Sequence, residues 1–255
     1  MKPQVYKDPR PAEHFTHFHE RVRKGRPDWM YEAVRMVLTP YVLGFFRTRC
    51  IDSFNVPADG PVIITPNHFS FLDHFFVAVY LRRKVQFLAK SQLFNPPLQT
   101  VYTHGGVFPV RRGHRDEEAF KTAHAVLARG GMVVMYSEGG RSRSGELGEP
   151  RAGLGRLALE SGAPVVPTAI VGSEKARDWK RLQFPKVTVQ YGKPIRFQQV
   201  DEPTKEQSQA ASERVFEDVR RMHGDLRRHG RRRAIQAARA ARRATEATGR
   251  RPITP

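Results

Sequence analysis

Apolar positions in the middle of this chain fall into short, unbroken runs closed by glycine or proline. Examples are Val62-Ile63-Ile64-Thr65, Val107-Phe108-Pro109-Val110 and Met132-Val133-Val134-Met135. Short apolar runs rich in β-branched residues predict buried strands. On this basis strands are expected at 62–65, 85–89, 107–110, 132–136, 165–170 and 187–191. Between them lie mixed segments that predict helices at 71–82, 92–103, 117–129 and 154–160. Such alternation predicts an α/β fold: a mostly parallel central sheet flanked by helices, with an N-terminal amphipathic helical segment and a basic C-terminal helix or tail.

The flanks have a different pattern. Residues 1–28 are polar and read as a loose arm, and Trp29 to Phe46 is the most membrane-like stretch. It carries Glu32, Arg35 and Pro40 and falls short of the roughly 20 apolar residues of a spanning helix. An interfacial or re-entrant helix pair broken at Pro40 is expected, with Trp29, Tyr31 and Tyr41 at head-group level and Arg47 and Arg49 facing anionic lipid. The alternative is an ordinary amphipathic helix packed on the domain. Residues 204–228 predict a helix with Val215, Phe216, Val219 and Met222 as its apolar stripe. Beyond Gly230 arginines alternate with alanines, which leaves little to bury. That part is expected to order only on an anionic surface or to stay solvated. The expected division is 1–55, 56–200 and 201–255.

Charge adds a constraint. The chain has 255 residues and a net charge of +19. From 205 onward it holds fourteen Lys or Arg and six Asp or Glu, so +8 lies there and the rest is spread over the body. Such a balance implies an anionic partner: a lipid surface, acidic substrates or nucleic acid. No helix-turn-helix, RNA-recognition or zinc pattern is present, which disfavours nucleic acid. The single cysteine, Cys50, excludes an internal disulfide and reads as a small apolar residue. No basic-then-apolar secretory leader is visible, so a cytoplasm-facing protein is expected.

Three segments carry candidate chemistry. In Asn67-His68-Phe69-Ser70-Phe71-Leu72-Asp73 a histidine and an aspartate stand five residues apart just after a predicted strand. On a straight helix they would point roughly 140° apart. They meet only if the chain turns between them. The acid then fixes the tautomer and leaves the other nitrogen as a base. The alternative is a helix-capping aspartate beside an unrelated histidine. Tyr136-Ser137-Glu138-Gly139-Gly140-Arg141-Ser142 follows another strand and makes a glycine turn that gathers amides, a guanidinium and a hydroxyl, an anion cradle. Gly106-Val107-Phe108-Pro109-Val110-Arg111-Arg112 ends in two arginines suited to phosphate. Taken singly, the last two also read as a turn-rich surface loop and a solvated basic pair.

In order and spacing these segments, together with Ala163-Pro164-Val165-Val166-Pro167, resemble the four blocks of the glycerophospholipid acyltransferase family, which includes the lysophosphatidic acid acyltransferases. The resemblance runs from about 56 to 194, and Ala89-Lys90-Ser91 resembles the segment between the first two blocks. There are departures. Arg111 stands where the family usually has an acid, Pro109 replaces a large apolar residue, and Tyr136, Ser137 and Gly140 replace Phe, Pro and Thr. They bear on the acceptor head group more than on the reaction.

The resemblance implies transfer of a fatty acyl group from acyl-CoA or acyl carrier protein to the sn-2 hydroxyl of 1-acylglycerol-3-phosphate. The serious alternative is another lysophospholipid or a glycolipid acceptor. It implies His68 as base and Asp73 as its brace. Arg112, with Lys90 or Arg111, would clamp the phosphate. Glu138 and Gly139 would position the glycerol, and Arg141 and Ser142 would complete the substrate-binding set. It implies no metal and no cofactor, and a peripheral or monotopic place on the cytoplasmic face of an anionic membrane.

Overall fold

The computed structural model describes residues 7–113, 116–142, 144–177 and 183–247. Seven strands form one sheet in the order β1-β7-β6-β2-β5-β3-β4. They are β1 (Arg49–Ile51), β2 (Val62–Pro66), β3 (Val85–Lys90), β4 (Val107–Val110), β5 (Met132–Val134), β6 (Val165–Val171) and β7 (Thr188–Tyr191). Strands β2 to β6 run in one direction, while β7 pairs antiparallel with β6 and parallel with β1. The expected mostly parallel α/β sheet is what forms.

β2 sits at the centre and is buried along its length. Its alternation splits the core in two, as a pleated strand must. Val62 and Ile64 face one layer with α2 (Trp29–Gly44) and α3 (Asp73–Ala78), where Val42, Phe76 and Val77 are buried. Ile63 faces the other with α5 (Glu117–Ala128) and α6 (Ala152–Ser161), packing among Ala123, Val126, Leu154 and Leu157. The remaining helices are α1 (Thr16–Lys24), α4 (Leu98–His104) and α7 (Lys205–Ala247).

Several expectations on the flanks are corrected. The polar start is no loose arm over its described part: Phe15, Phe18 and Val22 are buried by a 3-10 turn and α1, which packs on α5 and β4. Charged neighbours masked a stripe only three residues wide. α2 is not a pair broken at Pro40 but one continuous helix. Proline removes only the hydrogen bond back to Met36, and Met36 and Pro40 both lie on the exposed side, where water satisfies the freed carbonyl. The 71–82 helix shrinks to α3, because the residues before it turn around the Asp73 carboxylate. The 92–103 helix starts only at Leu98, after Pro96 and Pro97. The arginine–alanine segment continues as helix to Ala247, bent at Gly230, and Ala234, Ile235 and Ala238 pack near Ile51 and Met222. β1, too short to register as a pattern, is an edge strand.

Candidate active site

The site gathers at the ends of β2, β4 and β5, the side of an open parallel sheet where ligands collect. As the chain leaves β2, Asn67 stays fastened to β6. Its Nδ2 donates to the Ile170 carbonyl at 3.0 Å, and its Oδ1 accepts the Ile170 amide at 2.7 Å. The side-chain amide thus replaces one rung of strand pairing and lets the backbone turn. His68 Nδ1 then lies 3.0 Å from Asp73 Oδ2. The same oxygen accepts the amides of Phe69 and Ser70, each at 2.7 Å. Three donors on one carboxylate oxygen hold the loop as a tight bend, so the two side chains meet across a turn.

The backbone of His68 is clasped from outside. Its amide donates to Glu138 Oε1 at 2.8 Å, and its carbonyl accepts the Ser142 amide at 2.8 Å. Glu138 Oε2 accepts the Gly148 amide at 2.7 Å. Gly139 has φ +67°, a left-handed conformation that suits glycine in the turn after Glu138. A side chain there would also press on Arg151. Burial pushes the Glu138 carboxyl up to about 7, against the downward pull of its two amide donors.

The ring of Tyr136 stacks on His68 at 3.9 Å between centroids and 22° between planes. Its hydroxyl is 2.7 Å from His74 Nδ1. Burial lowers the pKa of His68, the Asp73 carboxylate opposes that, and the Arg141 and Arg112 charges lower it further. The imidazole is therefore neutral near pH 7, with Nδ1 on the carboxylate and Nε2 left to accept a proton. His74, whose ring centroid lies 5.4 Å from that of His68, lines a largely apolar cavity between α2, α3, α4 and β3, together with Tyr31, Leu38, Phe75, Phe87 and Val101 among others.

Residues 47–171 match the Acyltransferase family profile. This segment thus carries an acyltransferase-family domain. It is 30% identical over 135 residues to the chloroplastic 1-acyl-sn-glycerol-3-phosphate acyltransferase BAT2 of Brassica napus, covering 51% of this chain and 39% of that protein. It is 27% identical over 152 residues to a glycerol-3-phosphate acyltransferase of Pseudomonas fluorescens, covering 52% of this chain and 18% of that one. The crystal structure of the 1-acyl-sn-glycerophosphate acyltransferase PlsC of Thermotoga maritima shares the fold, with TM-score 0.57 at 20% identity over 84% of this chain and 90% of that one. The chain thus spans about two fifths of the plant relative it matches.

Seven of the nine sequence-predicted residues fall into three groups. His68 and Asp73 are in contact. Arg112 lies against the Gly140 backbone, where an added Cβ would stand 3.5 Å from its Nη1, and with Arg141 it acts on the His68 charge. Glu138, Gly139 and Ser142 form the clasp, and both Glu138 oxygens are engaged by protein amides. Arg111 points elsewhere: its guanidinium donates to the Arg10 carbonyl at 3.2 Å, as neighbours on an extended strand end face opposite sides. Lys90 ends β3, in register with Val110 of β4. The expected 71–82 helix covered His74 without singling it out, and Tyr136 stood only as a departure. Their stacking on the base had no local signal. Among the described residues no cluster of His, Cys, Asp and Glu has the form of a metal site, and no helix is long and apolar enough to cross a membrane.

Proposed function

We propose that this protein transfers a fatty acyl group from a thioester, acyl-CoA or acyl carrier protein, to the free hydroxyl of a phosphate-bearing lysolipid. 1-Acylglycerol-3-phosphate is the first candidate and phosphatidic acid the product. The observation that carries this reading is the His68–Asp73 pair, whose imidazole feels the Arg112 and Arg141 charges and whose ring neighbour His74 lines an apolar cavity. His68 Nε2 takes the proton of the acceptor hydroxyl as its oxygen attacks the thioester carbonyl. Asp73 stabilises the imidazolium. The tetrahedral adduct collapses, the C–S bond breaks, and the proton passes from His68 to the leaving thiolate. Arg112 and Arg141 hold the acceptor phosphate, and the cavity takes the acyl chain. Direct transfer suits a chain whose single thiol is remote from this chemistry: burial pushes Cys50 up to about 11, away from nucleophilic use.

The same reading includes peripheral docking on the cytoplasmic face of an anionic membrane. α2 exposes Met36, Val37 and Leu43, with Trp29 at its start and Phe45 just beyond. This apolar ridge, followed by Arg47 and Arg49, suits a helix lying in the interface. A different acceptor head group is the second reading, favoured by Tyr136, Ser137 and Gly140 in the clasp loop and by Arg111 turned away from Arg112.

An acceptor screen tests the reading. Purified protein with one long-chain acyl-CoA is offered 1-acylglycerol-3-phosphate, glycerol-3-phosphate, other lysophospholipids and phosphatidylinositol mannosides, and products are read by mass spectrometry. Phosphatidic acid formed fastest supports the first reading. Faster acylation of another lipid selects the second, and no acylation of any acceptor overturns both.

A further inference from the structure

The cavity beside the base contains an unexpected polar element. His74 lines it, and its ring centroid lies 5.4 Å from that of His68. Of the other polar side chains in the lining, the Tyr31 hydroxyl accepts the Val85 amide at 3.3 Å and Arg35 pairs with Glu32 at 4.0 Å; Thr39 and Tyr102 also line it, and of all these residues His74 is the one whose ring stacks beside His68. His74 is held by stacking on Phe87 at 5.2 Å and on Tyr136 at 5.1 Å. Its Nδ1 meets the Tyr136 hydroxyl at 2.7 Å, and its ring makes no other hydrogen bond among the described residues.

Burial lowers the His74 pKa well below its ordinary value and raises that of Tyr136 well above, so both are neutral. A neutral imidazole has one donor and one acceptor nitrogen. With Nδ1 given to the phenol, Nε2 is the ring nitrogen without a protein hydrogen bond, on a side chain that lines the cavity. An unsubstituted chain passing it offers no partner, and an unpaired polar group in such a site weakens binding. A hydroxyl on the chain both donates and accepts, so it satisfies either tautomer. The spacing says where that hydroxyl belongs. The reacting carbonyl stands beside His68, and the third carbon lies about 2.5 Å along the chain from it, so a hydroxyl there with a hydrogen bond of about 2.8 Å spans the 5.4 Å to His74.

We propose that the His74–Tyr136 pair selects acyl groups carrying a hydroxyl close to the thioester, the 3-hydroxyacyl class, over unsubstituted chains. His74 contacts the hydroxyl, and Tyr136 orients His74. This inference rests on the acyl-transfer reading and deepens it by naming the donor.

The test is a competition. Equimolar hexadecanoyl-CoA and 3-hydroxyhexadecanoyl-CoA are supplied with the acceptor the screen selects, and the product ratio is read by mass spectrometry for wild type, His74→Phe and Tyr136→Phe. The hydroxy product is expected to dominate by roughly tenfold or more in wild type, because a polar site discriminates against a substrate lacking its partner. The ratio falls toward parity in His74→Phe and part of the way in Tyr136→Phe, which keeps the stacked ring if the histidine variant does not fold. Parity in wild type, or an unchanged ratio in a folded variant, overturns the proposal. Binding of 3-hydroxyhexadecanoic and hexadecanoic acids by calorimetry separates the two failures. Equal affinity overturns selection even where transfer occurs. Tighter binding of the hydroxy acid without turnover upholds selection and counts against acyl transfer.

Discussion

The backbone amide of His68 donates to the Glu138 carboxylate at 2.8 Å, across 70 residues of sequence. Ser142, four residues past Glu138, returns an amide to the His68 carbonyl. The loop after β5 thus sets where the base stands, and most of what the site can do depends on this clasp.

Glu138→Gln tests the clasp. The amide keeps the size but turns one of the two acceptor atoms into a donor facing a backbone N–H. Leaving a buried donor unpaired costs about 1–3 kcal/mol. A stability loss of that order and a fall in kcat are expected from denaturant unfolding and steady-state rates. Equal stability and rate in the variant would show that the clasp is dispensable.

The same carboxyl gives a pH signature. Its folded pKa, about 7, lies above the unfolded value of 4.5, so the folded state binds more protons between them. Its contribution therefore favours folding at low pH and is lost as pH rises from 4.5 to 7, by about 3 kcal/mol at about 1.4 kcal/mol per unit. The buried histidines His19, His68 and His223, whose pKa values are lowered, contribute the opposite slope on the acid side. Comparing the unfolding free energy of wild type and Glu138→Gln across this range isolates the carboxyl: the difference should shrink as pH rises.

His68→Ala and Asp73→Ala separate chemistry from architecture. Losing a general base typically lowers the rate by about a hundred- to ten-thousand-fold. His68→Ala should show that loss and melt near wild type. Asp73→Ala should lose rate and also about 2 kcal/mol or more of stability, because its Oδ2 holds the amides of Phe69 and Ser70 as well as the imidazole. Near-normal turnover of His68→Ala removes the base assignment.

Activity should follow the protonation of His68. Its pKa is lowered by burial and by the Arg141 and Arg112 charges, so kcat/KM should rise with pH to a plateau whose midpoint lies below 6.5. Arg141→Gln removes one depressing charge and should move that midpoint to higher pH. An unmoved midpoint places Arg141 outside the field of the base.

Gly155 tests the packing that carries α7. Where α6 crosses α7, a Cβ on Gly155 would collide with the Ser208 carbonyl, and the Gly155 amide donates to Ser212 Oγ at 2.8 Å. Overpacking of a close crossing costs typically about 1–3 kcal/mol. Gly155→Val should lower the melting temperature, and Phe69, whose ring sits 5.7 Å from that of His223 on α7, links this damage to the catalytic loop.

Much of this was legible beforehand, for a local reason. Strands β2 to β6 announced themselves because buried parallel strands are short apolar runs, and the candidate groups followed their ends. Helical geometry alone set the condition that His68 and Asp73 could meet only across a turn. α1 and β1 were missed because three buried residues, or a three-residue edge strand, leave no period to count. The resemblance put the clamp on Arg112 with Lys90 or Arg111 as helper, and only the strand end showed that Arg111 turns to the Arg10 carbonyl instead.

The sequence by itself determined the order of elements, the alternation that makes a parallel sheet, and the chemical groups available at its rim. Those follow from side-chain type and spacing within a few residues. Only the tertiary structure decided that Glu138 holds the His68 backbone, that Tyr136 lies on the base, and that His74 turns a nitrogen-bearing ring into an apolar cavity. Each of those contacts joins segments from different strands. Sheet order brings them together, and no pattern along the chain encodes it.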